Sequence, residues 1–120
     1  SQANGDDDED STCPIDERML KDMFGDDEDT FKEILQSFIG PSEAIIADLM
    51  AAHGVLSATE IKAHAHKLKS SSRSIGSNRM ADICAALEAA GGQSNWGLID
   101  EELPKLEPEY QKVKSYIDSL

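Results

Sequence analysis

The stretch 61–81 carries Lys62, Lys67, Lys69, Arg73 and Arg79 and not one acid, inside a chain of 120 residues whose 24 acids and 11 bases leave a net charge of −13. Two histidines, His64 and His66, lie within this cationic island. On a helix, at about 100° per residue, Lys62, His66, Ser70 and Arg73 fall within about 40° of one line, with Lys69 beside them. Ile61, Leu68, Ser72 and Ile75 fall on the opposite side, toward a core. His66 is thus expected on a wet face among cations and small hydroxyl residues. Neighbouring positive charge disfavours an imidazolium, and neutral imidazole is the nucleophilic form. The same cations would hold a phosphoryl group once it arrived. The chemistry of this face is that of a histidine that accepts phosphate.

His64 is the competing imidazole. It lies about 200° from His66 on the same helix, at the edge of the core face, and reads as a partly buried structural residue. A His-x-His pair faces one way on a strand and opposite ways on a helix, which weakens a metal site here. A metal-binding helical bundle using His64, His66 and Cys84 is one alternative reading. A helical module that docks a partner without any group transfer is another. Cys84 itself reads as a small core hydrophobe, and its spacing from Cys13 forms no redox or metal motif.

The elements that must position these residues are helices. Asp16 caps a short first helix carrying Met19, Leu20 and Met23, which Gly25 ends. Acids at 26–29 crowd the start of a second helix, where the positive end of the dipole favours them. Its stripe is Phe31, Leu35, Phe38, Ile45 and Leu49, widened by Ile34, Ile46 and Met50, and its phase survives Gly40-Pro41, so one kinked helix is expected up to His53-Gly54. Ser57 and Glu60 form a capping box opening a third helix over about 58–74. Gly76 marks the next turn. A fourth helix follows over 78–90, with Met80, Ile83, Leu87 and Ala90 on one face and Gly91-Gly92 as its stop. Ile99, Leu103, Leu106, Tyr110, Val113, Ile117 and Leu120 alternate by four and three, the seam of a bundle helix, with Pro104 starting its regular part or kinking it and Trp96 packing at its head. No strand alternation interrupts them. The architecture is all-α: an antiparallel up-and-down four-helix bundle with a short extra N-terminal helix.

Residues 1–14, with five consecutive acids at 6–10, read as a solvated acidic linker ahead of one domain over 15–120. No apolar run approaches the roughly 18 residues of a membrane span, and no signal peptide opens the chain. The negative charge argues against nucleic acid or an anionic membrane as the main partner. No Gly-rich loop or nucleotide-binding motif is present, which leaves no kinase core here.

His66-Lys67-Leu68-Lys69-Ser70-Ser71-Ser72, followed by Gly76, resembles the signature of histidine-containing phosphotransfer (HPt) domains of two-component phosphorelays. The likeness is strongest over 61–88. It implies that His66 is the phosphoacceptor, that Lys69 steadies the phosphoryl group, that Leu68 anchors the helix and that Gly76 lets the chain turn. Many members have Gly where Ser70 stands, so a small residue is kept beside the histidine. The facing helix of such domains offers a polar residue that orients the imidazole; Glu88 is the candidate, with Ser70 as a second neighbour. Lys62, Lys67 and Arg73 would dock an acid-lined receiver domain. The resemblance further implies a monomeric phosphocarrier with no cofactor of its own, a divalent ion bound by the partner receiver, and no direct membrane contact. A cytoplasmic location is expected. The acidic lead and the missing initiator Met favour the C-terminal domain of a hybrid histidine kinase, whose parent could be anchored in the inner or plasma membrane.

Overall fold

The computed structural model describes residues 15–25 and 27–120; the acidic linker at 1–14 lies outside them, as does Asp26. Five helices follow in order: α1 (Glu17–Phe24), α2 (Glu28–Gly54), α3 (Ala58–Ser74), α4 (Asn78–Gly92) and α5 (Trp96–Asp118). No strand occurs among the described residues. The links between α2, α3, α4 and α5 are only about three residues long, so consecutive helices run antiparallel. The all-α bundle with a short leading helix is the observed architecture.

Local chemistry sets the boundaries. The Asp16 carboxylate accepts from the Met19 N–H, Asp27 from Thr30, Ser57 from Glu60 and Asn95 from Leu98, each satisfying a donor that the first turn leaves open. The capping box at Ser57 is only half formed. The Ser57 N–H donates to the Ala52 carbonyl at 2.9 Å, so it needs nothing from Glu60. Glu60 turns instead toward His64, with Oε1 3.8 Å from Nε2.

α2 runs through Gly40-Pro41 as one helix. Its buried seam is Leu35, Phe38, Ser42, Ile46, Leu49 and Ala52, while Phe31, Ile34 and Ile45 are half-buried. Met50, expected to widen the stripe, is 42% exposed because it lies one step past the edge of this seam. As one unbroken helix, Asp29–Gly54 is long and apolar enough to cross a membrane by length and composition, contrary to the sequence expectation. Its seam belongs to the bundle core.

α4 also departs from expectation. It continues through Gly91 and ends at Gly92. Gly91 is buried, and a Cβ there would stand 2.8 Å from both the Ala58 carbonyl oxygen and the Lys62 nitrogen. Gly91 therefore does not stop the helix; it lets α4 close on the backbone of α3. In α5, Pro104 lies inside a helix that already began at Trp96. The seam from Ile99 to Ile117 is buried as read, but Leu120, beyond the helix end, is 44% exposed. Gly76 has φ +76°, and its carbonyl accepts from the Asp16 N–H at 2.9 Å, which fastens the N-terminal segment under the α3–α4 turn.

Candidate functional site

α3 shows two faces. Ile61, Ala65, Leu68 and Ser72 are buried, and Ile75 just beyond the helix end is buried with them. Lys62, His66, Lys67, Ser70 and Arg73 are exposed. The 3.6-residue period thus delivers the cationic face predicted, with His66 at its centre and its side chain 62% exposed.

α4 brings one carboxylate to this face. Glu88 Oε2 lies 3.0 Å from His66 Nδ1, and Glu88 Oε1 lies 2.5 Å from Lys69 Nζ. Glu88 and Lys69 are each only about one-fifth exposed, so the pair is partly shielded from water. The Lys69 ammonium first, and then the His66 ring, hold the Glu88 carboxyl below the ordinary range against the opposing effect of burial. The imidazole thus does not stand among cations alone. One ring nitrogen meets a carboxylate; no hydrogen bond to the other, Nε2, is found among the described residues. When Nδ1 donates to Glu88, the lone pair is left on Nε2, the nitrogen free to react.

The remaining candidates separate by place. Leu68 lies fully in the core beneath His66. Ser70 is exposed one turn on; its carbonyl accepts from Ser74 Oγ at 3.0 Å, and its hydroxyl makes no hydrogen bond among the described residues, where the imidazole's hydrogen-bond partner is Glu88. Lys62 lays its stem across Gly92. Cys84 is buried, and burial pushes its thiol up to about 12. His64 is half-buried with Nδ1 sealed off, as its helical phase implied. Among the described residues no group of three His, Cys, Asp or Glu is placed to hold a metal ion, so His64, His66 and Cys84 are not assembled into one.

Sequence reasoning passed over three contacts. Gly91 sets the α3–α4 distance across which Glu88 reaches His66. Its phase with Cys84 and Leu87 (steps of three and four) was the available signal. His53 Nε2 lies 2.7 Å from Asp100 Oδ1 and its ring packs edge-on against Trp96 at 6.0 Å, which ties the end of α2 to α5. Arg79, the last cation of the island, lies 3.7 Å from buried Glu109 on α5, away from the His66 face.

A helical bundle that presents an imidazole backed by a carboxylate and an ammonium has the chemistry a group carrier needs. The Hpt domain family matches residues 33–118. Histidine-containing phosphotransfer protein 1 of Arabidopsis thaliana is 28% identical over 94 residues, covering 77% of this chain and 61% of that protein. This chain thus spans less than two thirds of that relative's length. The crystal structure of histidine-containing phosphotransfer protein B (HptB) from Pseudomonas aeruginosa PAO1 has a TM-score of 0.82 at 23% identity, covering 89% of this chain and 93% of that one, a likeness of fold. The chain belongs to the Hpt domain family, and that membership supports a phosphocarrier role in a phosphorelay.

Proposed function

We propose that this domain accepts a phosphoryl group on His66 from the aspartyl phosphate of a receiver domain and passes it to the aspartate of another. Nε2 of His66 attacks phosphorus in line. The Nε2–P bond forms as the bond between phosphorus and the aspartate oxygen breaks, and the aspartate carboxylate leaves with the electron pair. Glu88 keeps the Nδ1 proton in place and fixes the ring, a positioning role. Lys69, at the i+3 position, supplies an ammonium to the arriving phosphoryl oxygens. Lys62, Lys67 and Arg73 meet the acid-lined mouth of the receiver. A divalent ion bound there would supply most of the charge neutralisation. Onward transfer is the same step reversed on a second receiver.

The observation that carries this reading is the division of the imidazole: Nδ1 engaged by Glu88 at 3.0 Å, on a ring 62% exposed. Incubation with a receiver carrying labelled phosphate is expected to place acid-labile, base-stable label on this chain, and His66→Gln should abolish it. Label retained by H66Q would place the acceptor elsewhere. The cytoplasmic location and the monomeric state are part of the same proposal.

A further inference from the structure

Three exposed cations of α3, Lys62, Lys67 and Arg73, have no ion-pair partner among the described residues. This is unusual placement in a chain of net charge −13. The strongest run of opposite charge in the same chain is Asp6-Asp7-Asp8-Glu9-Asp10. Its attachment point lies close to the cationic face. Ile15 is buried, and the Asp16 N–H is bonded to the carbonyl of Gly76, two residues past the end of α3. The backbone of Asp16 lies so close that a Cβ on Gly76 would stand 3.1 Å from it. The acids stand five to nine residues before Ile15, a reach of up to about 17–30 Å at roughly 3.3 Å per residue. Along α3, Arg73 is only one turn from the Gly76 end, Lys67 lies about 14 Å from Gly76 and Lys62 about 21 Å at 1.5 Å per residue. The length of chain and the charges therefore match.

We propose that residues 6–10 dock on the face formed by Lys62, Lys67 and Arg73, and so compete with an acidic partner for the surface around His66. A short tether gives the segment an effective concentration in the millimolar range, so weak individual pairs suffice. The contact is electrostatic and screened by salt, since the Debye length falls from about 20 Å at 20 mM to a few Å at 0.5 M. The cost is a slower encounter with a receiver at low salt. The competing role rests on the receiver-docking reading given above; the contact itself does not.

The test uses the full chain and a variant of equal length, D6N/D7N/D8N/E9Q/D10N. Amide chemical shifts of the two are compared at about 20 mM and about 0.5 M salt. The expected result is a difference at Lys62, His66, Lys67 and Arg73 at low salt that disappears at high salt. Identical α3 spectra at low salt overturn the contact and leave the face to the partner alone. Uptake of phosphate from a phosphorylated receiver is then timed for both chains, and the variant should be several-fold faster at low salt and equal at high salt. Shift differences with equal rates overturn the competition. Shift differences in a chain that takes no phosphate uphold the contact while the phosphocarrier reading fails.

Discussion

Glu88 meets two groups at once, and its substitutions separate them. Alanine there frees the His66 ring and strips Lys69 of its counter-charge. Glutamine keeps an oxygen for the Nδ1 proton but loses the charge. On the proposed mechanism Glu88→Ala lowers the rate of phosphoryl uptake by about 10- to 100-fold, the scale on which misplacement of a reacting group acts. Glu88→Gln costs about tenfold or less. Single-turnover transfer from a phosphorylated receiver measures both, and equal loss in the two variants would count against a positioning role. At this scale the sequence was legible wherever chemistry follows helical phase: His66 exposed, Leu68 buried, His64 between. The Glu88 contact spans 22 residues of sequence. Spacing within α3 says nothing of it, and only the resemblance made Glu88 a candidate. The Glu60–His64 approach was hidden because Ala52, from the preceding helix, satisfies the Ser57 N–H that a capping box would have used.

Helix ends were legible where a cap was read, because caps are local: Asp16 and Ser57 each act within three residues of themselves, whereas the caps Asp27 and Asn95 were not singled out in the sequence. Contacts between helices were less legible. A Gly-Gly pair after an apolar stripe looks like a stop, but Gly91 meets the α3 backbone and Gly92 meets only the flexible Lys62 stem. Gly91→Ala should therefore cost about 1–3 kcal/mol, the range of overpacked sites, and disturb the α3–α4 distance across which Glu88 reaches. Gly92→Ala, with its nearest contact at 3.7 Å, should be close to neutral. Urea unfolding of the two variants decides, and a neutral Gly91→Ala would refute the close-approach role. The α2–α3 turn offers the opposite case. Leu56 sits at φ 52° and is 69% exposed, so a non-glycine residue holds left-handed backbone without burying its side chain. Left-handed backbone costs about 1–2 kcal/mol outside glycine, partly offset by glycine's own entropy. Leu56→Gly is expected to raise stability by about 0.5–1 kcal/mol. A loss of stability on thermal or urea unfolding would show that the side chain contributes packing at this turn.

For the molecule as a whole, charge is distributed rather than uniform. Residues 1–30 hold 12 acids and 2 bases, and the other 90 hold 12 acids and 9 bases. The bundle proper is therefore close to balanced, and its pH profile should follow a few groups whose protonation folding changes. Asp27, Glu43 and Glu88 are all held below the ordinary carboxyl range: Asp27 by its bond with Thr30, Glu43 foremost by Tyr110, Glu88 foremost by Lys69. A carboxyl with a lowered folded-state pKa binds fewer protons than in the unfolded chain. Its stabilisation is full above the ordinary value near 4.5 and drains away as pH falls through the lowered one. At the other end, burial raises Cys84 from 9.0 to about 12 and raises Tyr110 above its ordinary 10.0. These groups stay protonated when folded and ionise when unfolded, so their contribution is complete below pH 9 and is lost as pH climbs toward the folded values. Urea unfolding should therefore show a plateau between about pH 5 and pH 9, with an acid limb and an alkaline limb. Glu88→Gln should make the acid limb shallower, and Cys84→Ala should do the same for the alkaline one despite a packing cost that is constant with pH. If the C84A chain loses stability between pH 9 and pH 11 as steeply as the native chain, the buried thiol is not what sets the alkaline limb, and two groups are left to set it: Tyr110, which joins α5 to Glu43 of α2 at 2.8 Å, and Lys105, held above its ordinary value by Glu102.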